Sequence, residues 1–179
     1  PSPDEGKSRV QHDDCLPGNG LYPPIACAVI GDTLFSGGVE GEGVFSSNYS
    51  DTAWWHDKYC PSSNVFSLIG DGSNLLAGTD FGLELSTNKG TNWLATSQLS
   101  GNIYALAISS TNIFAGTSSR SGSVFLSTNH GTDWKVVNTG LDSSDVYSFA
   151  VSGTNIFQGT SGGVFLSTND VTKDRKAVV

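Results

Sequence analysis

The stretch "STNKGTNW", Ser86–Trp93, returns as "STNHGTDW", Ser127–Trp134, and starts a third time as "STND", Ser167–Asp170. A catalytic motif is needed once per site. A phrase returning at a period of about forty residues instead marks a repeat architecture, in which each copy is one supersecondary unit. Working outward from the phrase divides the chain into four units, 25–64, 65–102, 103–145 and 146–179, behind an arm, 1–24.

Each unit spells four strands. The first alternates at period two, as in "VFSLIG" from Val65, "IYALAI" from Ile103 and "VYSFAV" from Val146, the signature of a strand with two unlike faces. The second ends on a recurring glycine, Gly37, Gly78, Gly116 or Gly159. The third runs straight into the phrase, and the fourth follows it, as in "WKVV" from Trp134. The phrase is therefore a hairpin turn. Ser86 and Asn88, Ser127 and Asn129, and Ser167 and Asn169 bring side chains that bond nearby backbone, and Gly90 and Gly131 tolerate positive φ. Trp93 and Trp134 then fold back beneath the turns as apolar plugs, expected to be largely buried. The terminal units are worn, as capping repeats are. Arg175 replaces the turn tryptophan in the fourth unit, and the first supplies Trp54 one position late.

Composition excludes several functions. With 37% apolar and 15% charged residues the chain is globular, and a net charge of -8 removes the basic footprint of a nucleic-acid binder. No apolar run approaches the length of a membrane span. The sequence has no Met, consistent with a processed, secreted or periplasmic chain. Cys15, Cys27 and Cys60 fit no zinc spacing, so neither metal nor cofactor is expected. Cys27, inside the apolar run "IACAVI", reads as a buried thiol, which leaves Cys15 and Cys60 as the bridge.

The turn resembles the Asp box, or bacterial neuraminidase repeat, Ser-x-Asp-x-Gly-x-x-Trp. Ser86, Gly90 and Trp93 match it, as do Ser127, Gly131 and Trp134, while Asn88 and Asn129 stand at the aspartate position. The resemblance covers residues 25–179 and implies an all-β protein, a β-propeller-type repeat of four four-stranded blades with an N-terminal arm. The family includes sialidases, xyloglucan hydrolases, sortilin-type receptors and a photosystem assembly factor, so fold alone assigns no activity. The sialidase arginine triad has no counterpart in Arg9, Arg120 and Arg175, of which one lies in the arm and one replaces a turn tryptophan. Nothing singles out the paired carboxylates of a glycosidase either, and Asp32, Asp71 and Asp80 read as turn residues.

The expectation is a non-catalytic secreted module that works by protein binding or self-assembly, through the N-terminal arm or the terminal blades. The strand-like part of that arm, Lys7–Leu16, would pair with an exposed blade edge. The alternatives are a lectin-like propeller, with Trp55, His56 and Tyr59 of "AWWHDKYC" as the glycan contact, and a descendant of an Asp-box glycosidase. His130, in the variable slot of its turn, reads as a solvated loop residue.

Overall fold

The structure, a computed structural model, describes residues 25–39, 43–48, 55–56, 64–118, 123–141, 144–168 and 176–177, with backbone alone at 55–56 and 176–177. The described residues form strands and turns, with no helix among them. The first sheet is β1 (Ala26–Ile30), β2 (Thr33–Gly37), β3 (Val44–Asn48) and β4 (Trp55–His56). The second is β5 (Val65–Asp71), β6 (Asn74–Thr79), β7 (Gly82–Ser86) and β8 (Leu94–Ala95). The third comprises β9 (Asn102–Ser109), β10 (Asn112–Ser118), β11 (Ser123–Ser127) and β12 (Lys135–Val136). The fourth comprises β13 (Val146–Ser152), β14 (Asn155–Thr160), β15 (Gly163–Ser167) and β16 (Lys176–Ala177). Each is an antiparallel meander in chain order, and each falls within one unit read from the sequence.

The first strands pack in succession, β1 on β5, β5 on β9 and β9 on β13, which makes them the inner strands of a blade array. One face of each sheet meets the preceding blade and the other meets the following one. Between the first two blades Ala28, Ile30 and Phe35 pack on Val65, Leu68 and Leu75, with Trp93 against the cluster. Leu76, Leu83 and Leu85 then meet Ile103, Ile113 and Trp134, and Phe114, Val124 and Leu126 meet Val146, Ile156 and Phe149. At roughly 1.5–3 kcal/mol per fully buried aliphatic or aromatic side chain, these three seams carry the stability.

The recurring glycines are close-approach positions. A Cβ on Gly37 would lie 2.4 Å from Val65 Cγ1, one on Gly78 would lie 2.5 Å from the Ile103 carbonyl oxygen, and one on Gly116 would lie 2.6 Å from Val146 Cγ1. In each case the second strand of one blade receives the first apolar residue of the next. The threonine after three of these glycines clasps the following turn. Thr79 Oγ1 donates to the Gly82 carbonyl at 2.9 Å and accepts from the Phe81 N–H at 3.1 Å. Thr117 and Thr160 repeat the clasp.

Two expectations are corrected. Cys27 is an exposed free thiol, because the alternation of β1 turns Ala26, Ala28 and Ile30 toward the second blade and Cys27 away from it. Trp93 and Trp134 are half-buried, each packed against the apolar cluster of a seam without being enclosed by it. Cys15, Cys60, Tyr59, Asn169 and the arm 1–24 lie outside the described residues, as does the Cys15–Cys60 pairing.

Candidate ligand-binding face

The two ends of the array carry different chemistry. At one end sit the turns that follow the third strands, held by a shared scheme. Ser86 Oγ accepts from the Gly90 N–H at 2.8 Å and donates to Asn88 Oδ1 at 3.0 Å, and Asn88 Oδ1 accepts from the Asn92 N–H at 2.9 Å. Ser127, Asn129, Gly131 and Asp133 repeat these bonds at 2.9, 3.0 and 2.9 Å. Asparagine therefore serves each turn as an acceptor. It does more at Asn129, whose Nδ2 donates to Asp133 Oδ2 at 2.8 Å. Lys89 and His130 precede the turn glycines at φ 55° and 58°, so the slot that looks variable in sequence is a left-handed one. His130 is largely exposed, yet its Nδ1 lies 2.6 Å from Asp71 Oδ2 and so joins the third blade's turn to the second blade. The Trp134 indole N–H donates to the Gly131 carbonyl at 2.9 Å, which locks ring to turn. These hydrogen bonds stay within the turn or reach a neighbouring blade, whereas the Trp93 indole N–H is buried without a hydrogen-bond partner among the described residues. Ser167 is buried at the corresponding place in the fourth blade.

At the opposite end the inner strands begin, and here the array offers an aromatic row. Phe66, Tyr104 and Tyr147 each follow the first apolar residue of an inner strand, at the place where the pairing register slips in β5, β9 and β13. A bulge turns its extra residue out of the alternation, so these rings face one another across blades instead of entering a seam. Phe66 and Tyr104 have centroids 4.9 Å apart, and Tyr104 and Tyr147 are 5.7 Å apart.

Polar groups border the row. Asn102 Nδ2 donates to the Tyr104 hydroxyl at 2.9 Å, and the Tyr147 hydroxyl donates to Asp145 Oδ2 at 3.4 Å. Desolvation first, then the Asp145 carboxylate and Tyr104, push the Tyr147 phenol above its ordinary range, so it stays protonated and serves as a donor. Asp80 is committed elsewhere. Its two oxygens accept from the Asn64 N–H at 3.2 Å and from Asn64 Nδ2 at 3.0 Å, tying the turn of the second blade to the start of β5. Beside these groups Phe81 is 79% exposed and Tyr147 51%.

The aromatic group read from the sequence lies elsewhere. Trp55 and His56 form β4, the outer strand of the first blade, where they pair with Ser46 and Phe45. The aromatic row belongs to the inner strands. Its signal in the sequence was an aromatic residue second in three first strands, "VF", "IY" and "VY", and ordinary alternation would send those rings into a seam. Among the described residues, no group of three or more His, Cys, Asp and Glu is placed to hold a metal ion, and no helix is long and apolar enough to cross a membrane.

No protein-family model and no curated protein matches the chain. Solved structures do. An ancestral GH74 enzyme superposes with TM-score 0.71 at 22% identity, covering 84% of this chain and 23% of that one. The extracellular domain of a one-component system from B. thetaiotaomicron gives 0.70 at 18%, covering 87% and 22%. YCF48 from Cyanidioschyzon merolae gives 0.63 at 14%, covering 88% and 57%. The chain thus spans less than a quarter of the first two. At these identities the likeness concerns fold, and with the four consecutive meanders it establishes that this chain is built as a β-propeller.

Proposed function

We propose that the chain is a non-catalytic, extracytoplasmic propeller module that acts by binding, with the open ends of its inner strands as the binding face. The observation that carries this reading is the row Phe66, Tyr104 and Tyr147, bordered by Asn102 and Asp145. Half-exposed rings cost free energy in water unless a ligand covers them, and large apolar side chains gathered at one face are a mark of interaction sites. A carbohydrate chain suits this end, because sugar rings offer apolar C–H faces to aromatic rings and hydroxyls to amides and carboxylates. One structural neighbour is a xyloglucanase from Xanthomonas campestris, which supports carbohydrate as the class to try first.

The test is a glycan array probed with the whole chain, followed by titration of the best glycan against Tyr147→Ala. Binding weakened at least tenfold by this exposed substitution is the expected result. An array without signal, or affinity unchanged by Tyr147→Ala, overturns the assignment. No hydrolysis of an aryl sialoside or of xyloglucan is expected, because the polar groups at this end are engaged as hydrogen-bond partners and none is set as an acid–base pair. A second reading, a structural subunit that self-associates, is favoured by Val164 of the fourth blade, which is 39% exposed where Leu83 and Val124 are buried in seams.

A further inference from the structure

The row at the starts of the inner strands has a fourth place. Ala26 stands opposite Gly37 as Ser67 stands opposite Gly78, Ala105 opposite Gly116 and Ser148 opposite Gly159. Ile25, one residue earlier, therefore holds the place of Phe66, Tyr104 and Tyr147, and its N–H donates to the Gly37 carbonyl at 3.1 Å. It is 51% exposed. Across the four blades the row thus runs Ile25, Phe66, Tyr104, Tyr147, from purely apolar side chains to rings that carry hydroxyls.

The two ends of this row are chemically unlike. Tyr104 has a ring on either side, Phe66 at 4.9 Å and Tyr147 at 5.7 Å. Tyr147 has a described ring neighbour on one side only, is 51% exposed, and its hydroxyl donates to Asp145 Oδ2 at 3.4 Å. A phenol that donates to a carboxylate directs electron density into its ring, and the face of such a ring attracts a cation. Charge is divided in the same sense. Among the described residues, the acids at this end are Asp80 and Asp145, whereas the basic side chains Lys89, His130 and Lys135 lie in, or directly after, the turns of the opposite end. Both oxygens of Asp80 are taken by Asn64. Asp145 holds one long bond to Tyr147 and keeps acceptor capacity.

We propose that the ligand of this face is a chain of amino sugars, with a protonated amine beside Tyr147 and Asp145 on the fourth blade and its other sugars along the row toward Ile25. This rests on the carbohydrate reading and narrows it. The row takes the C–H faces of the sugars, and the Asp145 carboxylate with the Tyr147 ring takes the ammonium. A sulfated or uronic-acid chain would set its charge against Asp145 and in the field of a protein of net charge -8, so anionic glycans are disfavoured.

Titration of the whole chain with three β-1,4-linked tetrasaccharides, of glucose, N-acetylglucosamine and glucosamine, tests it at about pH 5.5, where the amines are protonated and ordinary aspartates ionised. The glucosamine tetrasaccharide should bind at least tenfold tighter than the other two, and the advantage should shrink in high salt. Asp145→Asn keeps an acceptor for the Tyr147 hydroxyl and removes the charge, so it should abolish the advantage. Asp145→Ser replaces it if that variant fails to fold. Asp32→Asn removes the same charge at the opposite end and should keep the advantage. Glucose tetrasaccharide bound as tightly as glucosamine tetrasaccharide, with affinity that Tyr147→Ala weakens, overturns this inference and leaves the carbohydrate reading standing. An advantage that survives Asp145→Asn overturns it, as does one that falls equally in Asp32→Asn, which assigns the effect to net charge. Binding of none of the three overturns it as well, and the glycan array then decides the broader reading separately.

Discussion

At position 129 an amide both accepts and donates within its turn. Asn129 accepts from the Asp133 N–H through Oδ1 and donates through Nδ2 to the Asp133 carboxylate. Asn88 has the same acceptor role, but the residue facing it is Asn92. Asn129→Asp should therefore cost about 1–2 kcal/mol at neutral pH, from a lost charge-assisted bond and two facing carboxylates, whereas Asn88→Asp should be close to neutral. Urea unfolding of the two variants checks this, and equal costs would contradict the assignment. A second residue-scale feature is Glu84, which holds in β7 the register place of Phe45, Phe125 and Phe165. Burial raises its carboxyl above the usual range. A carboxyl whose folded pKa is raised favours the fold when protonated, so stability is highest below the unfolded pKa and falls as pH rises through the folded value. Glu84→Gln should accordingly raise the melting temperature at pH 7 and bring little gain at pH 4. A gain equal at both pH values would show that charge is not the cause.

At the scale of elements, the four meanders owe their spacing to the second-strand glycines. Gly116 packs against Val146 and Phe149 of the next blade, while Gly159 has no such neighbour. Gly116→Ala should destabilise by about 1–3 kcal/mol through forced separation of the third seam. Gly159→Ala, measured at a concentration where the chain is monomeric, should change stability little. Comparable losses at the two sites would mean that strand propensity, not close approach, explains the glycine. The two-residue hairpins between first and second strands show the complementary use of glycine. Gly31, Gly72 and Gly153 sit at φ 60°, 64° and 60°, and Ser110 takes the same conformation at 54° in the third blade. There the reason for glycine is backbone torsion, since a Cβ on Gly31, Gly72 or Gly153 would meet nothing within 4 Å.

Among the described residues the molecule is an array in which each terminal blade packs against a neighbour on one face. The strand β9, between two neighbours, alternates buried and half-buried residues along its length, whereas β13 is buried at Val146 and mostly exposed beyond it. In a quasi-one-dimensional array stability is a sum of unit and nearest-neighbour terms, so a blade with one neighbour lacks one such term. The aromatic row Phe66, Tyr104 and Tyr147 lies at an end of the array, where the inner strands begin, and outside the seams.

The sequence by itself determined the repeat, the four strands of each unit and the chemistry of the turn, because each is a local matter. Alternation, a glycine after a short polar run and a Ser–Asn pair have the same consequence wherever they occur. It also marked the second-strand glycines without giving their reason. Three things were decided only in three dimensions. The exposure of Cys27 depends on which face of β1 meets a neighbour, and a strand reads equally well from either side. The half-burial of Trp93 and Trp134 depends on how far each ring reaches across a seam. The aromatic row depends on register slips at β5, β9 and β13, each set by pairing with a strand that follows it in the chain. Faces, seams and slips are relations between blades, and no single unit of the sequence carries them.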